Sequence, residues 1–132
     1  MENTPNRFAE PDYFNEVILN LNKPLIGAIN GYSITGGLEL ALSCDIRYAS
    51  EHAVFADTYT KVGVIPGWVM TQRLPRLIGV ARAKEMSLAG QKIDAQMALA
   101  WGLVNRVFPA DELLPATLKL ANGNSWQQSD YR

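Results

Sequence analysis

The sequence predicts an α/β fold built on a parallel βαβ unit, and three observations predict it. Leu25-Ile26-Gly27-Ala28-Ile29 is a short continuous apolar run, the mark of a strand buried on both sides. A glycine-rich turn, Asn30 to Gly37, leads into Leu38, Ala41 and Leu42, which are spaced as one face of a helix. Asp45-Ile46-Arg47-Tyr48-Ala49 then alternates with period two and reads as a second strand. Strand, turn, helix, strand is the grammar of parallel pairing through a crossover.

Taken in order, the first dozen residues are polar and interrupted by Pro5 and Pro11, which predicts a loose tail. Tyr13, Phe14, Val17, Ile18 and Leu21 have helical spacing and predict a short helix with one face on an apolar surface. Lys23-Pro24 should end it, because proline disfavours helix in the residue before it. Val54-Phe55-Ala56 reads as a very short third strand.

Beyond it the chain turns helical. Gly63 to Gly67 is a loop containing Pro66. Leu74, Leu77 and Ile78 share a helical face, with Pro75 tolerable near a first turn and Gly79 a natural stop. A helix over Val80 to Ala89 should end at Gly90, and Asp94 should cap Ala95–Ala100, which Gly102 terminates. Leu103 to Phe108 reads as a strand, and Asp111 to Leu120 as a helix weakened by Pro115. The expected organisation is a tail with a short helix over 1–22, a core over 23–121 and a disordered tail over 122–132.

Composition narrows the class. With 132 residues, 48% hydrophobic and 19% charged, 12 basic against 13 acidic, the chain is too apolar and too neutral for a disordered segment. No apolar run approaches the roughly 20 residues that cross a bilayer, and Met1-Glu2-Asn3-Thr4 does not open a secretory signal, so no membrane role is expected. A single cysteine, Cys44, excludes an internal disulfide and suits a reducing, cytoplasmic compartment. Cys44 and the single histidine, His52, make no familiar metal cluster, so no metal is expected. Cys44 reads as a small buried hydrophobe and His52 as an exposed turn residue.

Charge is uneven. Residues 1–22 carry Glu2, Glu10, Asp12 and Glu16 against Arg7, whereas residues 61–106 carry seven cations against Glu85 and Asp94. Basic residues without interleaved exposed aromatics do not make a nucleic-acid surface. Arg73, Arg76, Arg82 and Lys84 are expected on helical faces toward solvent or a neighbouring subunit.

Chemistry concentrates at the glycine pair Gly36-Gly37. Glycines between a strand and a helix let backbone approach a ligand closely, and the first N–H groups of the helix lack intrahelical partners. Such a terminus can hold a phosphate or the oxyanion of an activated carbonyl. The Lys-Ser/Thr of a Walker loop is missing, and Gly31 to Gly36 lacks the dinucleotide rhythm, which disfavours phosphate. Glu39 follows in the first helical turn. It either complements the helix dipole or stands as a proton-transfer carboxylate beside the oxyanion site, and spacing alone leaves both open.

From Lys23 to about Ala121 the chain resembles the enoyl-CoA hydratase/isomerase, or crotonase, superfamily. The likeness rests on Lys23-Pro24-Leu25-Ile26-Gly27-Ala28-Ile29-Asn30-Gly31, on Gly36-Gly37-Leu38-Glu39-Leu40-Ala41-Leu42-Ser43-Cys44-Asp45-Ile46-Arg47-Tyr48-Ala49, and on Phe55-Ala56. It continues through Val62-Gly63-Val64-Ile65-Pro66-Gly67, Thr71-Gln72-Arg73-Leu74-Pro75-Arg76-Leu77-Ile78-Gly79 and Ala98-Leu99-Ala100-Trp101-Gly102-Leu103-Val104.

The resemblance implies a crotonase-like (ClpP/crotonase) ββα spiral, present in part and followed by helices. It implies an acyl-CoA thioester as ligand, hydration of a 2-enoyl-CoA as reaction, and no cofactor beyond the coenzyme A of the substrate. The N–H at Gly36 would be one oxyanion donor and Glu39 one catalytic carboxylate, with Gly37 and Pro66 at the substrate; Trp68, which follows Pro66-Gly67, either borders the acyl pocket or packs in the core. The second carboxylate of hydratases would fall at Tyr59, whose ordinary pKa near 10 makes it a poor base at neutral pH. Tyr59 is thus a catalytic candidate as donor or water-orienting group, and single-glutamate chemistry is favoured over isomerisation. The family's other oxyanion donor belongs to an earlier Ala/Gly-Asp region that Met1–Asn22 does not match, and its closing helices would follow Ala121. The expectation is a chain truncated at both ends. The alternative function is a catalytically inactive fragment that binds acyl-CoA or partner subunits, and a homo-oligomer, trimer or hexamer, is implied for the full-length form.

Overall fold

The computed structural model describes residues 13–64 and 70–123. Its first half alternates between two sheets. Helix α1 (Tyr13–Leu19) precedes strands β1 (Ile26–Ile29) and β2 (Tyr32–Ile34), helix α2 (Gly36–Leu42), and strands β3 (Ile46–Ser50) and β4 (Val54–Ala56). A 3-10 turn, Tyr59–Val62, follows β4. Helices α3 (Met70–Ile78) and α4 (Val80–Ala89), strand β5 (Ile93–Asp94), helix α5 (Ala95–Trp101), strand β6 (Arg106–Phe108) and helix α6 (Ala110–Ala121) complete the described chain.

One sheet has the order β1-β3-β6 and is parallel throughout, with Ile26 opposite Ile46 and Tyr48 opposite Arg106. The other has the order β2-β4-β5, parallel between Tyr32 and Val54 and antiparallel where Phe55 meets Ile93. Two strands entering different sheets, followed by a helix, form one ββα unit, and the next strand pair lies beside the first. Leu38 and Leu42 of α2, Ala49, Phe55, Met70, Leu74, Met86, Ile93 and Leu103 fill the core between these layers. The parallel pairing of β1 with β3, predicted from the βαβ pattern, is present.

Local chemistry sets several ends as expected. Asp94 Oδ1 accepts the Met97 N–H at 2.8 Å and caps α5. Gly90 and Gly102 close α4 and α5 in the left-handed region, at φ 60° and 82°. His52 is exposed.

Other expectations are corrected. Helix α1 ends at Leu19, before Lys23-Pro24, where the Leu21 N–H turns to the Ile18 carbonyl at 3.3 Å and the Asn20 side-chain amide joins its own N–H on the Glu16 carbonyl. Among the described side chains, Val17 and Leu21 of the predicted apolar face are exposed and Ile18 is half-buried. Strand β1 is not covered on both sides, for Ala28 is exposed and β1 lies at the edge of its sheet among the described residues. Within the expected turn of Asn30 to Gly37 lies β2, created by its ladder to β4. The predicted strand from Leu103 is shorter, because Leu103 N–H closes α5 onto the Ala98 carbonyl at 2.8 Å.

Pro75 and Pro115 both lie inside their helices, the former beyond the first turn where it was expected. Each removes one helical hydrogen bond, and packing of Leu74, Ile78 and Leu113 holds the helices regardless. Cys44 is half-buried rather than buried, with Sγ 3.7 Å from the Leu40 carbonyl. Arg73 does not simply face solvent, since its Nη1 donates to the Leu42 carbonyl at 2.7 Å and caps the end of α2. The expected tails lie outside the described residues, apart from α1 and from Asn122 and Gly123. No helix among the described residues is long and apolar enough to cross a membrane.

Candidate active site

The site is built where α2 begins. Residue Thr35 precedes the glycine pair and takes φ 48°, ψ −105°, a conformation that costs a β-branched residue about 1–3 kcal/mol. Three hydrogen bonds hold it there. The Thr35 N–H donates to the Ala56 carbonyl at 2.9 Å, its hydroxyl donates to the Ile34 carbonyl at 2.8 Å, and its own carbonyl accepts the Glu39 N–H at 2.9 Å. The bend aims the start of α2, so that the Gly36 N–H, first in the helix, has no carbonyl one turn back within it.

Glu39 is only 1% exposed, and Oε2 of its carboxylate accepts a hydrogen bond from the Tyr59 hydroxyl at 2.9 Å. A Cβ on Gly36 would stand 4.0 Å from the same hydroxyl oxygen. Gly36, Glu39 and Tyr59, the last two twenty positions apart and the first and last 23, therefore meet at one point. The Tyr59 phenol is pushed up to about 12, by burial first, then by its bond to Glu39 and the negative charges of Glu39 and Asp57. At neutral pH it is a hydrogen-bond donor and no base.

Gly37 is exposed and lines a groove of about 300 Å³ along β1, β2 and α2, with Ile29, Tyr32, Ser33 and Leu40. The Ser33 hydroxyl donates to the Gly37 carbonyl at 2.9 Å and fixes that turn of backbone. A larger groove of about 430 Å³, between β3, β6 and α6, contains none of the predicted site residues. Pro66 and Trp68 lie outside the described residues. Among the described residues no three His, Cys, Asp or Glu side chains converge as a metal site.

Two participants were not predicted. Thr35 carries no sequence sign of a left-handed conformation, and threonine argues against one. Asp57 is 1% exposed, and its Oδ1 accepts the Tyr59 N–H at 3.0 Å. Its one sequence signal was an acid placed directly after the apolar triplet Val54-Phe55-Ala56.

The chemical capacity of this arrangement is a buried carboxylate with a fixed donor, next to a helix-start amide with no partner within its helix. That suits moving a proton beside a polarised carbonyl.

Comparison with known proteins gives the family. The family model described as enoyl-CoA hydratase/isomerase matches residues 7–129. A probable peroxisomal enoyl-CoA hydratase of Arabidopsis thaliana is 46% identical over 101 residues, which are 76% of this chain and 38% of that protein. A short-chain-enoyl-CoA hydratase of Clostridium acetobutylicum is 45% identical over 102 residues, 77% of this chain and 39% of that one. The crystal structure of an enoyl-CoA hydratase of Mycobacterium paratuberculosis superposes with a TM-score of 0.75 at 53% identity, covering 76% of this chain and 46% of that one. That of Bacillus anthracis gives 0.77 at 47% identity, over 80% and 41%. The crotonase-like fold is thereby shown, and the chain spans about two fifths of the length of these curated relatives.

Proposed function

The chain belongs to the enoyl-CoA hydratase/isomerase family, and on that premise we propose that it carries the acid/base part of a site that hydrates a 2-enoyl-CoA thioester. The observation that carries this reading is the buried Glu39 carboxylate, held by the Tyr59 hydroxyl at 2.9 Å next to Gly36. Glu39 takes a proton from water as the oxygen attacks the β-carbon of the conjugated thioester. Electron density moves to the thioester oxygen, where the Gly36 N–H is one donor to the enolate-like oxyanion. Glu39 then returns the proton to the α-carbon, so one water is added and the carboxylate is regenerated. No electron transfer is involved, and coenzyme A enters only as part of the substrate. Tyr59 keeps its proton and orients Glu39.

The homo-oligomer expected from the resemblance belongs to the same proposal, and the exposed apolar side chains Leu19, Tyr32 and Leu88 are positions that assembly would cover. A second reading is acyl-CoA binding without turnover, favoured by the tyrosine at the second carboxylate position.

The test follows the absorbance of the conjugated thioester of crotonyl-CoA with the parent chain and with Glu39→Gln. Hydration is expected in the parent, with kcat lowered about 10²–10⁴-fold in the variant. Equal rates would remove Glu39 from the chemistry. Absence of turnover in both, with retained binding of crotonyl-CoA, would support the second reading.

A further inference from the structure

Tyr59 is anchored at both of its ends. Its hydroxyl meets Glu39, and its N–H is held at 3.0 Å by Oδ1 of Asp57. Between these anchors lies a 3-10 turn of four residues whose N-cap, Thr58, offers no side-chain hydrogen bond. So short a turn has little stability of its own. The Asp57 carboxylate, reaching two residues forward, supplies what the cap does not.

The contacts close a circuit. The Ala56 carbonyl accepts from Thr35 N–H, the Thr35 carbonyl accepts from Glu39 N–H, Glu39 accepts from Tyr59, and Tyr59 donates its N–H to Asp57, which follows Ala56 in the chain. The strained turn before Gly36 and the carboxylate of Glu39 are thus tied to one another through Asp57.

Burying an acid is unfavourable unless donors compensate. Among the described residues no Lys, Arg or His pairs with Asp57, which is 1% exposed. Its carboxylate is accordingly ill-explained as a stabilising ion pair.

We propose that Asp57 is a positioning residue of the active site: by holding the Tyr59 backbone it fixes where the phenol meets Glu39. The inference rests on Glu39 as the acid/base of the proposed hydration.

The experiment compares Asp57→Ala and Asp57→Asn, each alone and with Tyr59→Phe, in crotonyl-CoA hydration. Alanine removes the acceptor, and a displaced phenol should lower kcat by about tenfold with KM within about twofold. Asparagine keeps an acceptor oxygen and should restore kcat to within about threefold. In the Tyr59→Phe background the alanine substitution should add little, because the hydroxyl that Asp57 positions is gone.

An activity-independent measurement accompanies these. The 13Cζ resonance of Tyr59, assigned by its loss in Tyr59→Phe, should remain that of the protonated phenol at pH 11 in the parent and move further toward the phenolate in Asp57→Ala than in Asp57→Asn, which removes the same charge but keeps an acceptor oxygen. Asp57→Leu, which also lacks an acceptor and fills more of the buried space, replaces the alanine variant if that one does not fold. An asparagine variant as impaired as alanine, a full additional loss in the Tyr59→Phe background, or a Tyr59 resonance that is the same in the alanine and asparagine variants would each overturn the proposal. Absence of turnover in the parent would instead count against the hydration reading, while the Tyr59 resonance still decides the role of Asp57.

Discussion

Replacing Tyr59 with phenylalanine removes one oxygen and leaves the ring that packs against the core. That oxygen donates to Glu39 Oε2 at 2.9 Å, and the carboxylate is 1% exposed, so little water replaces the lost donor. A hydrogen bond to a charged group is worth about 1.5–3 kcal/mol, which sets the expected destabilisation at pH 8 near 2 kcal/mol. The phenol adds a second signature. Its pKa is pushed up to about 12 from 10.0, chiefly by burial and then by Glu39, so the folded protein holds this proton to a higher pH than the unfolded chain.

The stability that this difference contributes is whole below pH 10 and is lost as the pH rises from 10 through 12. At about 1.4 kcal/mol per pKa unit, two units set a ceiling near 2.7 kcal/mol, and solvent around the half-buried ring lowers it to about 1–2 kcal/mol. Phenylalanine has no such titration. The stability gap between the two proteins should therefore be widest at pH 8–9.5 and narrow by about 1–2 kcal/mol toward pH 11.5. Urea unfolding of both proteins across that range measures it, and the other tyrosines and lysines cancel in the difference. A gap independent of pH would refute the raised phenol. A gap below about 0.5 kcal/mol at pH 8 would refute a meaningful bond to Glu39.

Two further substitutions test the frame around the site. Arg47 is 5% exposed, its Nε donates to the Leu103 carbonyl at 2.7 Å and its Nη1 to the Cys44 carbonyl at 2.5 Å, so Arg47→Met strands both acceptors. A loss of about 3 kcal/mol is expected, seen by calorimetry as a Tm lower by roughly 10 °C, and a loss under about 1 kcal/mol would contradict the role given to these bonds. Gly102→Ala puts a Cβ at φ 82° and 3.3 Å from the Leu77 carbonyl oxygen. It should cost about 1–3 kcal/mol in urea unfolding, whereas Gly31→Ala, with nothing within 4 Å and no positive φ, should cost less than about 1 kcal/mol.

Legibility followed the range of the interactions. Asp94, Gly90 and Gly102 were readable as helix ends because a cap acts on its own neighbours, four residues away or fewer. The α2 boundary at the glycine pair was readable for the same reason. Strands β2 and β5 were not, since Tyr32-Ser33-Ile34 and Ile93-Asp94 lack the apolar run that marked the equally short β4 and become strands only through their partners. The exposure of Val17 and Leu21 was not readable, because helical spacing reports an apolar stripe and not what covers it. Thr35 was unreadable in a stronger sense, for its left-handed backbone opposes its own local preference and survives by three bonds, one of them to Ala56.

By itself the sequence determined the family, the ββα grammar in outline, and the placement of Glu39 in a helix that starts at two glycines. These rest on motifs and on contacts within one turn of chain. Only the tertiary structure decided what Glu39 is bonded to. The ladder that sets Ile34 opposite Ala56 carries the chain so that Tyr59, twenty residues from Glu39, returns to it, and it leaves Asp57 buried behind the phenol. A carboxylate twenty residues from a hydroxyl is only a spacing until the sheet brings the two within 2.9 Å, and that approach is what makes Tyr59 a donor to the proposed acid/base.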